Sequence, residues 1–355
     1  MIDIVITNYN YARFLRAAID SAVGQIDCAC QVIVVDDGSS DGSREIIRAY
    51  GTRIVPVFQN HAGQAAAFNA GWQLCRGQAV IFLDADDVLL PDTAHRVEKI
   101  FRAQPGVAMV QYRMAIIDAR GNPTGVLKPA GYLQLAHGDL RESLINFPDD
   151  LTRMATSGNA FAAFALKEIL PIPADEYGAA GADWYLSHLT PLFGHVIALN
   201  HVGAGYRVHG ANSYEVASPR VDLAHIRQTI AYAETTHRYI HKFAVQRGLK
   251  TPAEIVSVSS VANRLISVRL EPAQHPVAHD TAGKLLWLGT RASLRRSDIA
   301  PVMRAMFIVW FASMAIAPRF IARWLAVKFL FPEARVAFNR WLGALHRPTP
   351  AEVRH

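Results

Sequence analysis

Residues 79–87 read AVIFLDADD: five apolar residues in a row, then an acid, an alanine and two more acids. A short, continuous apolar run bounded by polar residues fits a strand buried on both faces, as in a parallel sheet covered by helices. The acids stand at its carboxyl end, the edge where open α/β sheets bind ligands. Working outward, the pattern recurs. Residues 2–7 (IDIVIT) precede the polar cluster TNYN at 7–10, and residues 31–35 (QVIVV) precede DDGSSDGS at 36–43. Helical periodicity over 11–24, with Phe14, Leu15, Ala18 and Ile19 on one face, separates these two strands. A helix at 44–50, a strand at 53–58, an Ala-rich helix at 63–75 and a helix at 91–101 complete the first hundred residues. This alternation predicts an α/β domain on a mostly parallel sheet flanked by helices, with three polar clusters beyond strand ends.

Further along, the patterns predict strands at 107–117, 156–164 and 195–207 and a helix at 183–192. The stretch 118–150 reads as loop-rich with a short helix at 139–145, and 208–218 as a loop. Helices at 221–247 and 252–270 follow. From residue 299 onward the chain reads as apolar, basic helices broken at Pro318 and Pro332.

Composition narrows the function classes. A chain of 355 residues that is 51% hydrophobic and 19% charged is globular rather than disordered. Cys28, Cys30 and Cys75 form no disulfide framework, which excludes a small secreted module and favours a reducing compartment. The start, MIDIVIT, lacks a basic leader, so no signal peptide is expected. Charge is uneven: net −5 over 1–220, +3 over 221–286 and +8 over 287–355. A basic tail points to an anionic partner. This tail also carries four of the six tryptophans in long apolar runs, which argues for no nucleic acid and for a membrane surface. Its longest uncharged run, 305–318, has fourteen residues, short of a simple membrane span.

The acids suggest chemistry. Asp84, Asp86 and Asp87 concentrate carboxylate oxygens suited to Mg²⁺ or Mn²⁺, which also bind phosphate oxygens. The alternative is a helix-capping cluster, with Asp87 serving the helix near Pro91. Asp36-Asp37-Gly38 can accept hydrogen bonds from a base or ribose, or can form an ordinary turn. No G-x-G-x-x-G follows the first strand and no P-loop is present, which argues against dehydrogenases and P-loop enzymes.

Four segments taken together, VITNYNYARFL (5–15), VVDDGSSDGS (34–43), NHAGQAAAFN (60–69) and FLDADD (82–87), resemble the N-terminal half of a family 2 glycosyltransferase. Order and spacing match over about 90 residues, and a looser likeness runs to residue 215. The resemblance implies a GT-A fold with a C-terminal helical appendage. It divides the chain into a catalytic domain at 1–218 (nucleotide half 1–105, acceptor half 106–218), a helical extension at 219–298 and basic amphipathic helices at 299–355.

It also implies roles. Thr7 and Tyr9 would line the base pocket, with Asp37 and Asp36 holding uracil or an equivalent base, and Gln64 would close over the nucleotide. Asp84 would reach ribose or sugar hydroxyls, and Asp86 would be the metal-binding member of the D-x-D motif. Arg207 and His209 would approach the diphosphate, His209 touching the metal. Asp183 falls where the family places its catalytic base, although Ala182 replaces the acid that usually precedes it; a helix cap is the local alternative for Asp183.

The implied reaction is metal-dependent, inverting transfer of a sugar from a nucleotide-diphosphate sugar, a UDP-sugar by family habit. The acceptor would be a hydroxyl on a lipid-linked or polysaccharide-precursor molecule at the cytoplasmic face of the inner or plasma membrane. The C-terminal helices would hold the enzyme there as a peripheral or monotopic protein; packing on the catalytic domain or in a homodimer is their other use. Two rival functions are a nucleotidyltransferase of sugar phosphates, for which the basic Gly-rich loop is lacking after residue 7, and an inactive nucleotide-sugar-binding scaffold at the membrane.

Overall fold

The apolar runs form strands. In the computed structural model, which describes residues 1–131, 133–178, 181–210 and 221–330, β1 (Ile2–Asn8), β2 (Cys30–Asp37), β3 (Val55–Gln59) and β4 (Ala79–Asp84) lie parallel in the order β3-β2-β1-β4. Between and after them come α1 (Ala12–Val23), α2 (Ser43–Ala49), α3 (Gln64–Trp72) and α4 (Thr93–Ala103). The period of two divides each strand between two faces. Ile2, Ile4, Ile6, Val32, Val34, Ile81 and Leu83 share one core with Leu15 and Ile19 of α1, Ile47 of α2 and Val97 of α4. On the other face Phe68 of α3 stacks on Phe82 at 4.3 Å. Gly71 lets α3 lie directly on the sheet, because a Cβ there would stand 2.3 Å from Val5 Cγ1. That close seat carries Gln64, the first residue of α3, to the strand ends.

Beyond β4 the sheet changes character. β5 (Val88–Leu89), β6 (Val107–Ile117), β7 (Pro123–Lys128), β8 (Asn159–Ala162) and β9 (His195–Arg207) extend it as β4-β8-β6-β9-β5, with β7 alongside β6. The β4–β8, β6–β8, β6–β7 and β5–β9 pairs are antiparallel, while β6–β9 is parallel. The sheet is therefore mixed, which corrects the expectation of a mostly parallel one. Parallel neighbours need long crossovers, whereas the short turn at 118–122 permits only an antiparallel return.

Other sequence expectations shift too. The strand expected at 156–164 is a 3₁₀ turn (Thr156–Gly158), the four-residue β8 and the start of a helix at Ala163. A fully buried apolar run has no period to tell strand from helix. The helices of this stretch are α5 (Arg141–Asn146), α6 (Ala163–Ile169), α7 (Ala174–Tyr177) and α8 (Ala182–Leu189).

The described residues form two compact units, 1–210 with 234–255, and 221–233 with 256–330. α9 (Leu223–Gln246) contributes to both. Its later half belongs to the first unit, where Tyr239 meets Tyr185 at 5.5 Å and Thr236 hydrogen-bonds Tyr177. In the second unit α10 (Val258–Leu270), α11 (Ala282–Arg295), α12 (Pro301–Ile316) and α13 (Arg319–Leu330) share a core that includes Leu265, Leu288, Phe311 and Ala322. Buried Asp280 ties this unit together, accepting two 2.7 Å bonds from Arg264. These units fall differently from the sequence divisions at 218 and 298, because helices on both sides of residue 298 bury one core. Pro318 separates α12 from α13 as expected; Pro332 lies outside the described residues.

Candidate active site

The carboxyl ends of β1, β2 and β4 and the turn before β8 surround a cavity of about 430 Å³. Seven of the ten candidate residues line it: Thr7, Tyr9, Asp37, Gln64, Asp84, Asp86 and Asp183. Tyr11, Thr156 and Tyr206 line it as well and were not singled out from sequence. Asp36, Arg207 and His209 do not line it.

The mixed sheet assembles the acid cluster. Because β8 runs antiparallel to β4, its preceding turn returns to the end of β4, and the Asp84 N–H donates to Ser157 Oγ at 3.1 Å. The Asp84 carboxylate accepts from Gln64 Nε2 at 3.2 Å. Burial, and then the nearby charges of Asp87, Asp86 and Asp183, push its pKa well above the usual carboxylate range. Burial and Asp86 likewise raise Asp87 to about 7, against the hydrogen bond it accepts from the Arg207 N–H. The helix after this turn has Asp92, not Asp87, at its N-cap. Four carboxylates near one another in a partly dry site hold their protons to higher pH than free carboxyls do, and repel one another once ionised.

Asp37 and Asp36 diverge. Asp37 lines the cavity, yet its oxygens already accept from Gln59 Nε2, the Ala62 and Gly63 N–H groups and His61 Nδ1, at 2.6 to 2.9 Å. It thereby fixes the 59–63 segment, and His61 in turn stacks on Tyr9 with ring centroids 3.9 Å apart. The flat Tyr9–His61 pair is a wall of the cavity. Asp36 is fully buried and accepts from Asn8 Nδ2, the Ser39 N–H and Arg44 Nε. It holds the 36–44 loop in shape.

β9 pairs with β5 so that Arg207 arrives behind the acids. The Arg207 Nε–H donates to the Asp86 carbonyl at 2.6 Å, and its guanidinium lies over Phe14. The side chain is buried and braces the acid turn. His209 Nε2 stands 3.0 Å from Asp86 Oδ2, and its ring packs against Phe14.

Asp183 sits in the first turn of α8, whose N-cap is Gly181, so Asp183 is not itself the cap. Its Oδ1 accepts the Trp184 N–H at 2.7 Å. Burial raises its pKa to about 6, opposed by that hydrogen bond and by Lys128. Behind α8 lies a polar network that the sequence did not disclose. His188 Nδ1–H donates to the Trp184 carbonyl at 2.7 Å, and Asp149 pairs with His237 at 2.8 Å while lying 3.7 Å from His188 Nε2. Burial and Arg153 hold His188 down to about 4, so it is neutral near pH 7. Burial alone would raise Asp149, but its interactions with His237 and His188 together outweigh it and keep the carboxyl well below the ordinary range. The network joins the 148–150 turn, α8 and α9, residues far apart in sequence, and so steadies the helix that carries Asp183.

Among the described residues no three His, Cys, Asp or Glu side chains are grouped as a metal cage. Asp86 and His209 nonetheless fit a Mg²⁺- or Mn²⁺-type ion, since such ions commonly take one or two protein ligands and complete their shell with water and substrate phosphate. Burial, and after it the repulsion among the acids, raises Asp84 and Asp87, and a cation would relieve that repulsion.

Comparison with known proteins agrees with this geometry. Residues 3–161, which supply β1 to β4 and the acid cluster, match Glycosyl transferase family 2. An uncharacterized glycosyltransferase of Nostoc sp. (strain PCC 7120) is 33% identical over 251 residues, covering 70% of this chain and 76% of that protein. Chondroitin synthase of Escherichia coli is 31% identical over 125 residues, 34% of this chain and 18% of that larger protein. Among solved structures, residues 1–349 of S. aureus TarS in complex with UDP-GlcNAc superpose with a TM-score of 0.54 at 14% identity, covering 94% of this chain and 92% of that one. The fold is thus GT-A-like with a C-terminal helical region. With motif order, fold and a relative matched over most of its length in agreement, the chain belongs to glycosyl transferase family 2.

Proposed function

We propose that the protein transfers a glycosyl group from a nucleotide-diphosphate sugar, a UDP-sugar in the first instance, to an acceptor hydroxyl with inversion at the anomeric carbon. The observation that carries this reading is that one cavity is lined by Asp84, Asp86 and Asp183 together with the stacked Tyr9–His61 pair. Thr7, Tyr9 and His61 would hold the nucleoside, with Asp37 keeping their segment in place. Asp84 and Gln64 would meet ribose or sugar hydroxyls. Asp183 would take the proton of the incoming hydroxyl, which requires a heavy-atom distance of about 2.6–3.2 Å in the substrate complex. A pKa of about 6 leaves it ionised at neutral pH and still basic enough to help.

Arg207 would act from behind by fixing the Asp86 backbone. Asp86 and His209 would hold a divalent cation, which when bound supplies neutralisation of the departing diphosphate. A phosphate leaving group needs no protonated acid, so one carboxylate base suffices and no covalent nucleophile is called for. The reading places the enzyme at the cytoplasmic face of a membrane, with a lipid-linked or polysaccharide-precursor hydroxyl as acceptor.

A panel of nucleotide sugars tests it, each assayed for nucleoside diphosphate release with Mg²⁺, Mn²⁺ or EDTA in the presence of membrane lipid extract. Release from one donor, suppressed by EDTA, is expected. Tight nucleotide binding with no release from any donor would instead favour a scaffold.

A further inference from the structure

Two short helices of the second unit leave an unusual amount of apolar surface in water. On α12 the exposed residues Val302, Val309 and Ile316 recur every seven positions, so they fall on one stripe. On α13 Phe320 and Trp324 stand four apart, and Lys328 continues their row. Ile316 is 82% exposed, Phe320 75% and Trp324 59%, and Ile316 and Phe320 stand on either side of the break at Ala317 and Pro318. The opposite sides of these helices are occupied. Phe311, Met314, Ala322 and Ala326 are buried in the core of the unit, and Trp310 donates to the Leu325 carbonyl and packs on Phe329 at 4.4 Å. The exposed residues are thus the outer face of a firmly packed helix pair. Contiguous apolar surface of this kind marks an interaction site.

The surrounding charge identifies the partner. Residues 282–330 hold eight Lys and Arg and a single acid, Asp298. Arg296 is paired with that acid, and Arg304 and Arg319 cap backbone carbonyls. Arg295 and Arg323 are exposed, Arg291 lies over the ring of Trp287, which is itself exposed, and Lys328 lies over that of Trp324. Cations beside exposed aromatic and branched residues fit a lipid interface, where apolar groups enter the acyl boundary and long basic stems reach headgroup phosphates. No described helix is long and apolar enough to cross a membrane.

We infer that the outer face of α12 and α13 is a membrane-docking surface: the corner 316–324 enters the interface of an anionic bilayer, and Arg323, Lys328 and Arg295 engage its headgroups. This names the surface behind the membrane placement proposed above, but its test requires no turnover. A second copy of the chain would be served by the apolar stripe alone and has no use for the excess of basic over acidic residues along 282–330, which is why the lipid is favoured.

The test uses the full chain with phosphatidylcholine vesicles, with and without phosphatidylglycerol, in a sedimentation assay across a salt series. Binding is expected only, or far more strongly, with the anionic lipid, and should weaken as salt rises. Ile316→Glu combined with Phe320→Glu should lower partitioning by about 100-fold or more. Arg323→Ala with Lys328→Ala should lower it about tenfold on anionic vesicles and hardly at all on neutral ones. Both variants alter exposed or half-exposed positions, and circular dichroism would verify that they fold. Absence of vesicle binding by the full chain, undiminished binding of both variants, or a dimer on light scattering that the glutamates dissociate would each overturn the inference.

Discussion

Asp183→Asn is expected to reduce transfer by about 10²- to 10⁴-fold, the range for loss of a positioned general base, while donor binding stays close to wild type. Asparagine keeps the shape and can still accept the Trp184 N–H, so geometry is preserved and only the proton acceptor is lost. The pH dependence adds a second readout. Burial holds Asp183 at about 6, so kcat/KM of the wild type should fall about tenfold per unit below that pH, and the variant should lack this limb. Stability runs the opposite way. A carboxyl whose folded pKa is raised from 3.8 to about 6 binds its proton more firmly in the native state, so its contribution declines as pH rises through that window. The variant should therefore melt no lower than the wild type at pH 7 to 8. A variant that loses activity together with its fold would point to a structural role instead.

Asp86→Asn is the second large effect. Loss of one preorganised stabiliser of developing charge typically costs 10²–10³-fold in rate, and the apparent affinity for Mn²⁺ in the presence of nucleoside diphosphate should fall in parallel. Titration of Mn²⁺ against activity, and calorimetry with the nucleotide present, would read both. Here too stability separates the explanations. Asp86 raises the pKa of both Asp84 and Asp87, so its charge is unfavourable to its neighbours. In EDTA above pH 7 the asparagine variant should be at least as stable as the wild type. A destabilised variant with unchanged metal dependence would remove Asp86 from its proposed role.

Much of the nucleotide-binding half was legible because its information is local. The apolar runs at 31–35 and 79–83 mark β2 and β4, and their polar endings fall where the cavity lies. The long strands β6 and β9 match their sequence bounds, Val107–Ile117 and His195–Arg207. What escaped depends on partners distant in sequence. Two-residue β5 is a strand only because β9 passes beside it, and β7, punctuated by Gly and largely exposed, has no apolar alternation to reveal it. Thr156 reaches the acid cluster through the reversed direction of β8, which nothing in its own segment announces. The Asp149–His188–His237 network draws on three elements and needs the tertiary fold to exist. Sequence also could not separate Asp36 from Asp37. Both end the same strand, but the pleat turns one into the 36–44 loop and the other to the cavity.

The anomeric configuration of the sugar after a single turnover tests the central claim most directly. With the donor found in the panel, ¹H NMR of the first-formed product reports whether the bond made at the anomeric carbon lies on the face opposite the one broken. One carboxylate base acting on an acceptor hydroxyl predicts inversion: an α-linked donor yields a β-linked product. A product of retained configuration would contradict a single displacement and, with it, the role assigned to Asp183.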